Sequence, residues 1–347
     1  MMRWSQMYSM VEVHAEGEAT SVVTDAIVHI PGETLLDKMN YINHVDDSVR
    51  RYTVFEPRGR AQMSVVFLFP PSRPDADAGF LILQADRAHA MSGSNTIGVV
   101  TVLLETGMVP LREPQTVVRL ETPAGLVTAT ADCREGKCER VTLDGVPSFV
   151  EALDVPVVVD GLGTLHVDLA YGGCYYALVE ARQVGLRIRR EDARALATTG
   201  ARLLKALSSQ VSVCHPELPG IDFVSYVMFV DRDDEEPELL RGCTVLPPGR
   251  VDRSPCGTGN SARLACMHHR GEARVGQRFT ARSIIDSEFQ VSIVGETHIA
   301  GKTAILPRIS GRGWIFGFHR IGLDPSDPYP LGYVLSDTWG EDLEVTQ

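Results

Sequence analysis

Two short stretches carry residue types that could do chemistry. One is Ser92-Gly93-Ser94-Asn95, a tight polar turn inside "MSGSNTIGVVTVLLETG" at 91–107; the other is Cys256-Gly257-Thr258-Gly259, which opens "CGTGNSARLACMHHRG" at 256–271. Each feeds a helix. A helix start leaves its first N–H groups without intrahelical acceptors and carries about half a positive charge. Buried, such a start suits a carboxylate. A thiol placed there is expected to have its pKa lowered from about 8.5, which fits Cys256 for proton transfer near neutral pH. Ser92, an ordinary N-cap residue in isolation, becomes its protic counterpart if the two starts face each other. Such a pair suits proton removal next to a carboxylate, where negative charge develops in the transition state. Asp252, four residues before Cys256, reads equally as a cap or as the holder of a substrate ammonium.

The elements that must position these residues form an internal repeat. Gly107 follows Ser92 by 15 residues and Gly271 follows Cys256 by 15, each where a helix would end in a left-handed glycine. Strand-like runs come after both: "TVVRLETPAGLVTATA" and "CERVTLDG", then "FTARSIID", "FQVSIVG" and "HIAGKTAILP". Upstream, Gly17 and Gly173 sit in matching turns, ahead of predicted helices near "PGETLLDKMNYINH" and "REDARALATTGARLLKALSSQ". The offsets of 156 and 164 residues fit a duplicated unit of mixed α and β structure. We expect an α/β (α+β) chain of two pseudo-symmetric lobes, 1–155 carrying Ser92 and 156–347 carrying Cys256, with the final strands able to return to the first lobe. Each would be a curved sheet around a central buried helix, with the active site in the cleft between.

Composition sets the outer limits. The 347 residues are 44% hydrophobic and 22% charged, as in globular proteins, and the net charge of −12 argues against nucleic acid as a partner. No apolar run reaches the roughly 18 residues of a membrane span, and the start lacks a signal-peptide pattern, so a cytoplasmic protein is expected. Seven cysteines lack paired CxxC spacing and read as free thiols; Cys133 and Cys138 flank a hairpin tip and Cys266 sits in the core. The acidic run from Asp231 to Glu236 reads as a solvated loop. Residues 257–262 satisfy G-x-G-x-x-A, but a polar, proline-containing approach replaces the strand that a dinucleotide site needs.

The chain resembles the proline racemase superfamily, which has the diaminopimelate-epimerase-like fold. The resemblance rests on "EVHAEGEAT", "EPRG", "MSGSNTIG", "DLAYGGCYYALVEA", "DRSPCGTGNSA" and "GRGWIFGFHRIGLDPSDPYPLGY", which span nearly the whole chain. It implies catalysis without cofactor or metal by two cysteines on opposite faces of the substrate α-carbon, and a homodimer. The second cysteine falls on Cys256, with Gly257 and Thr258 on the substrate carboxylate and Asp252 on the ring nitrogen; Gly93 and Ser94 would serve the carboxylate from the first lobe. Where the racemases read Met-Cys-Gly-His, this chain has Met91-Ser92-Gly93-Ser94. A hydroxyl is a far weaker acid than a thiol. Members so altered resemble trans-3-hydroxy-L-proline dehydratases, so the expected activity is a hydro-lyase that forms Δ1-pyrroline-2-carboxylate, with Ser92 and Cys256 both catalytic. The alternatives are a 4-hydroxyproline 2-epimerase or proline racemase, and a non-catalytic binder of proline-like amino acids.

Overall fold

A computed structural model describes residues 4–25, 29–232 and 236–335. The first ring of strands is built from β1 (Ser5–Ala15), β2 (Glu18–Val23), β3 (Ser64–Phe69), β4 (Ala78–Leu83), β5 (Ala88–His89), β6 (Gln115–Thr122), β7 (Gly125–Arg134) and β8 (Lys137–Asp144). The second uses β9 (Ser148–Val159), β10 (Gly163–Tyr171), β11 (Tyr175–Glu180), β12 (Val224–Arg232), β13 (Leu239–Leu246), β14 (Arg250–Val251), β15 (Arg278–Arg282), β16 (Glu288–Ile299) and β17 (Lys302–Gly311). A last strand, β18 (Gly313–Leu323), runs back along β1. The helices are α1 (Leu35–His44), α2 (Ser48–Val54), α3 (Gly93–Glu105), α4 (Ala193–Gln210) and α5 (Gly257–His269).

The repeat is visible in the strand pairing. β2 and β3 are parallel, as are β11 and β12, and the parallel pairs β4 with β6 and β13 with β15 also correspond. β9 pairs with both β10 and β17 and so closes the second ring, while β18 holds the matching place beside β1 in the first. The division expected at 155/156 falls within β9, which belongs to the second ring by its hydrogen bonds. Both rings merge through the pairing of β8 with β17 into one 18-stranded sheet. The architecture is mixed α/β with two lobes.

Each ring wraps one helix that is buried on nearly every side. In α3 every residue from Gly93 to Leu104 is buried, and in α5 every residue from Gly257 to Met267. Ile97, Val99, Val100, Val102 and Leu103 anchor α3; burial stabilises each such side chain by about 1.5–3 kcal/mol. The polar members are satisfied locally, with the Thr96 and Thr101 hydroxyls donating back to the carbonyls of Ser92 and Ile97. Gly107 and Gly271, at φ +76° and +75°, end the two helices as the sequence predicts. The peripheral helices are one-sided. α1 starts in a capping box between Thr34 and Asp37 and buries Leu35, Met39 and Ile42, and α4 buries Leu196, Gly200, Leu203 and Leu207.

Two readings of the acidic run and the cysteines resolve differently. Asp231 is buried at the end of β12 with Arg182 and Arg187 against it, because a strand end held between two guanidiniums can keep a carboxylate from water; residues 233–235 lie outside the described residues. Cys133 and Cys138 face each other across the β7–β8 hairpin as unbonded thiols.

The starts of α3 and α5 meet head to head. A Cβ added to Gly93 would lie 2.9 Å from the Gly257 Cα, and one added to Gly257 would lie 2.9 Å from the Gly93 Cα. Backbone stands on both sides, so neither atom can swing aside. Gly93→Ala should therefore cost about 1–3 kcal/mol in denaturant unfolding. A variant as stable as the parent would show that the two helix starts are free to part.

Candidate active site

The head-to-head starts bring the residues singled out in the sequence to one place. Ser92, Ser94, Asp252, Cys256, Gly257 and Thr258 line a single cavity of about 20 Å³, and Gly93 backs onto Gly257 beside it. The first-turn N–H groups of both helices have no acceptor within their own helix. Four backbone donors, from Gly93, Ser94, Gly257 and Thr258, thus stand where the two positive helix ends add.

Ser92 is the N-cap of α3, in extended conformation at φ −151°. Its Oγ accepts from the Asn95 side chain at 2.9 Å and from the Asn95 backbone N–H at 3.4 Å, and lies 3.3 Å from the Ser94 hydroxyl. Cys256 occupies the equivalent place on α5 with a backbone strained to φ +67°. The strain is held in place: its N–H donates to Ser254 Oγ at 3.1 Å, and the Ser254 N–H donates to Asp252 Oδ1 at 2.8 Å. Asp252 therefore caps the turn before the helix and not the helix itself. Its carboxyl group also faces the cavity.

Electrostatics at the thiol run opposite to the sequence expectation. Burial first, and then the Asp252 carboxylate, push the Cys256 thiol up to about 12. The helix start does not win, because Cys256 is 5% exposed and desolvation of a thiolate outweighs about half a charge. Tyr176 from β11 brings its hydroxyl to 3.3 Å from Cys256 Sγ and 2.7 Å from Thr258 Oγ1. Gly259 leaves room for the sulfur, since a Cβ there would meet Sγ at 2.9 Å. Asp252 is held above the usual carboxylate range by burial and then by the Glu18 carboxylate, with Arg250 opposing. Glu18 in turn bonds the Arg250 guanidinium and accepts the Arg253 N–H at 2.9 Å, tying the β1–β2 turn to the segment that carries Asp252.

Several lining residues are not assigned from sequence: Glu18, Ser64, Gln84, Asn95, Tyr176, Tyr226 and Thr244. Three had a signal. Glu18 and Tyr176 fall inside the quoted runs "EVHAEGEAT" and "DLAYGGCYYALVEA", and Asn95 stands three residues after Ser92, the spacing of an N-cap to its bonded N–H. Among the described residues no group of three or more His, Cys, Asp or Glu side chains could hold a metal ion, and no helix is long and apolar enough to cross a membrane.

Residues 10–334 match the proline racemase family. The chain belongs to that family. It is 49% identical over 341 residues to the 4-hydroxyproline 2-epimerase of Rhizobium etli, covering 98% of both chains. It is 48% identical to the 4-hydroxyproline 2-epimerase of Agrobacterium fabrum, again over 98% of both. A crystal structure of a hydroxyproline epimerase from Agrobacterium vitis with bound trans-4-hydroxy-L-proline superposes with a TM-score of 0.95 at 48% identity, covering 98% of this chain and 99% of that one.

These relatives overturn the expected hydro-lyase. Chains sharing half their residues with this one along its whole length are named as isomerases of 4-hydroxyproline, not as dehydratases of the 3-hydroxy isomer. The expectation takes the acidity of Ser92 from its side chain alone. In the fold that oxygen sits at a helix start under two N–H donors, which favour its ionised form over that of a free serine.

The reversed shift at Cys256 has a direct readout. With its folded pKa raised, the thiol stays protonated through neutrality, and its thiolate fraction grows about tenfold per pH unit up to pH 9.5 or beyond. In a Cys214→Ser background, which removes the exposed thiol, iodoacetamide labelling of Cys256 followed by mass spectrometry should rise over that whole range. A plateau by pH 8 would show that the helix start, not burial, sets the acidity.

Proposed function

We propose that the chain is a 4-hydroxyproline 2-epimerase that interconverts trans-4-hydroxy-L-proline and cis-4-hydroxy-D-proline. The observation that carries the proposal is the pair of protic side chains, Ser92 and Cys256, each at the start of a buried helix and both lining one cavity. The whole-length similarity to 4-hydroxyproline 2-epimerases supplies the substrate class. One group takes the C2 proton from one ring face and the other returns a proton to the opposite face. C2 inverts, C4 is untouched, and the atoms balance without a co-reactant.

The remaining site residues divide the work. Gly93, Ser94, Gly257 and Thr258 hold the carboxylate on their N–H groups, and those bonds strengthen as charge moves from C2 onto its oxygens. Asp252 takes the ring ammonium. That cation also offsets one of the two causes that keep the Cys256 thiol protonated, so binding prepares the proton transfer. We also take the enzyme to be a homodimer. β18 presents Phe316 and Phe318 at 60% and 70% exposure, an apolar surface a second copy would cover.

Incubation with trans-4-hydroxy-L-proline in deuterated water should give the cis-D epimer with deuterium at C2. Cys256→Ala and Ser92→Ala should each lower the rate by about 10²–10⁴-fold while remaining folded, the range for loss of a general acid or base. Dialysis against a chelator should leave the parent rate unchanged. Retention of the rate by Cys256→Ala, or loss on dialysis that zinc restores, would overturn the proposal.

A further inference from the structure

The two lobes meet the same requirement with different side chains. Thr20 stands opposite Ser64 in the parallel pair β2–β3, and Tyr176 opposite Tyr226 in the parallel pair β11–β12. Asn95 lies three residues after Ser92 and Gly259 three after Cys256. In the second lobe the bulky sulfur lies over Gly259 and the Tyr176 hydroxyl reaches it directly. In the first, the smaller oxygen leaves space that Asn95 fills. Its amide bonds Ser92 Oγ at 2.9 Å on one side and takes the Thr20 hydroxyl at 2.5 Å on the other. Asn95 is 3% exposed and Thr20 also 3%, so water does not compete for either.

We infer that Asn95, oriented by Thr20, is the positioning residue that lets a serine do the proton-carrying work a cysteine does in the opposite lobe; the inference rests on the epimerase reading. Thr20 Oγ1 lies 2.5 Å from Asn95 Oδ1 and 3.1 Å from the Ser64 carbonyl, and with its single proton directed to Oδ1 the Asn95 nitrogen is the end that faces Ser92. Two N–H groups then occupy the lone pairs of Oγ, and the Ser92 proton must point away from them, toward the cavity or Ser94. After Ser92 has given up that proton both bonds become charge-assisted and roughly twice as strong. The donors therefore stabilise the oxyanion more than the alcohol. A thiolate, larger and intrinsically more acidic, gains less from them.

The test compares two backgrounds, the parent and Ser92→Cys. In the parent, Asn95→Ala should lower kcat by about 10²–10³-fold, the usual loss for one donor to a developing oxyanion, with KM changed little. In the Ser92→Cys background the same substitution should cost under about tenfold, since a thiol gains its acidity without those donors. Ser92→Cys with Asn95→Gly, which copies the second lobe, should do at least as well as Ser92→Cys alone. Thr20→Val serves as a milder second variant, and should lower the parent rate about tenfold while sparing the cysteine background. Circular dichroism checks folding throughout. Equal losses in both backgrounds, or an effect on KM alone, would overturn the inference. Both C2 inversion and C2 deuterium uptake are followed. A parent that exchanges without inverting fails the epimerase reading while the comparison is still read from exchange, and a parent that does neither overturns both.

Discussion

Everything at this site follows from two glycines that touch. Gly93 and Gly257 sit back to back at the starts of α3 and α5, and no side chain can be inserted between them. That contact fixes the separation of two buried helix ends and brings their positive ends together beside one small cavity. The rings exist, in this view, to hold two helix axes at one meeting point. The apolar bodies of α3 and α5 do the holding, because a helix packed on every side cannot slide without opening gaps in a close-packed interior.

The symmetry of the backbone does not extend to the chemistry. Burial and a helix start act on the same group in opposite senses, and the balance differs between the lobes because the neighbours differ. Cys256 is deeply desolvated and has the Asp252 carboxylate nearby, so its charged form is disfavoured. Ser92 receives two donors that favour its charged form. The strong acid is thus made weaker and the weak acid stronger. Two groups whose intrinsic acidities differ widely are shifted toward each other, as the proposed reversible exchange at C2 would require of a pair that each give and take a proton.

Much of this was legible in the amino-acid order. The polar starts followed by helical runs located α3 and α5, the equal spacing to Gly107 and Gly271 revealed the repeat, and Ser92, Asp252 and Cys256 were found together in one cavity as the repeat implied. The sign of the Cys256 shift was not legible, because it depends on Asp252 and on burial, and burial is decided by strands far away in the sequence. Nor was the reaction type. The proposed one turns on the acidity of one hydroxyl, which accepts two bonds from Asn95 in the first turn of α3, with Thr20 on a different strand behind it. The short helix α2 left no signal either, being only seven residues long.

The placement of β18 has a consequence for how the molecule is made. The second ring is assembled from β9 to β17, an unbroken stretch of chain, whereas the first awaits β18, which follows all of them. On the ribosome the later half can therefore close before the earlier half is complete. Until β18 arrives, β1 presents one row of unpaired backbone N–H and C=O groups, an open template for any other extended segment. Gly313 at the head of β18 packs against Thr101 in the middle of α3. The helix that begins at Ser92 is thus covered in part by β18, which is made after every strand of the second ring. A nascent chain stalled before residue 313 would expose that edge, and it is there that a chaperone would be needed.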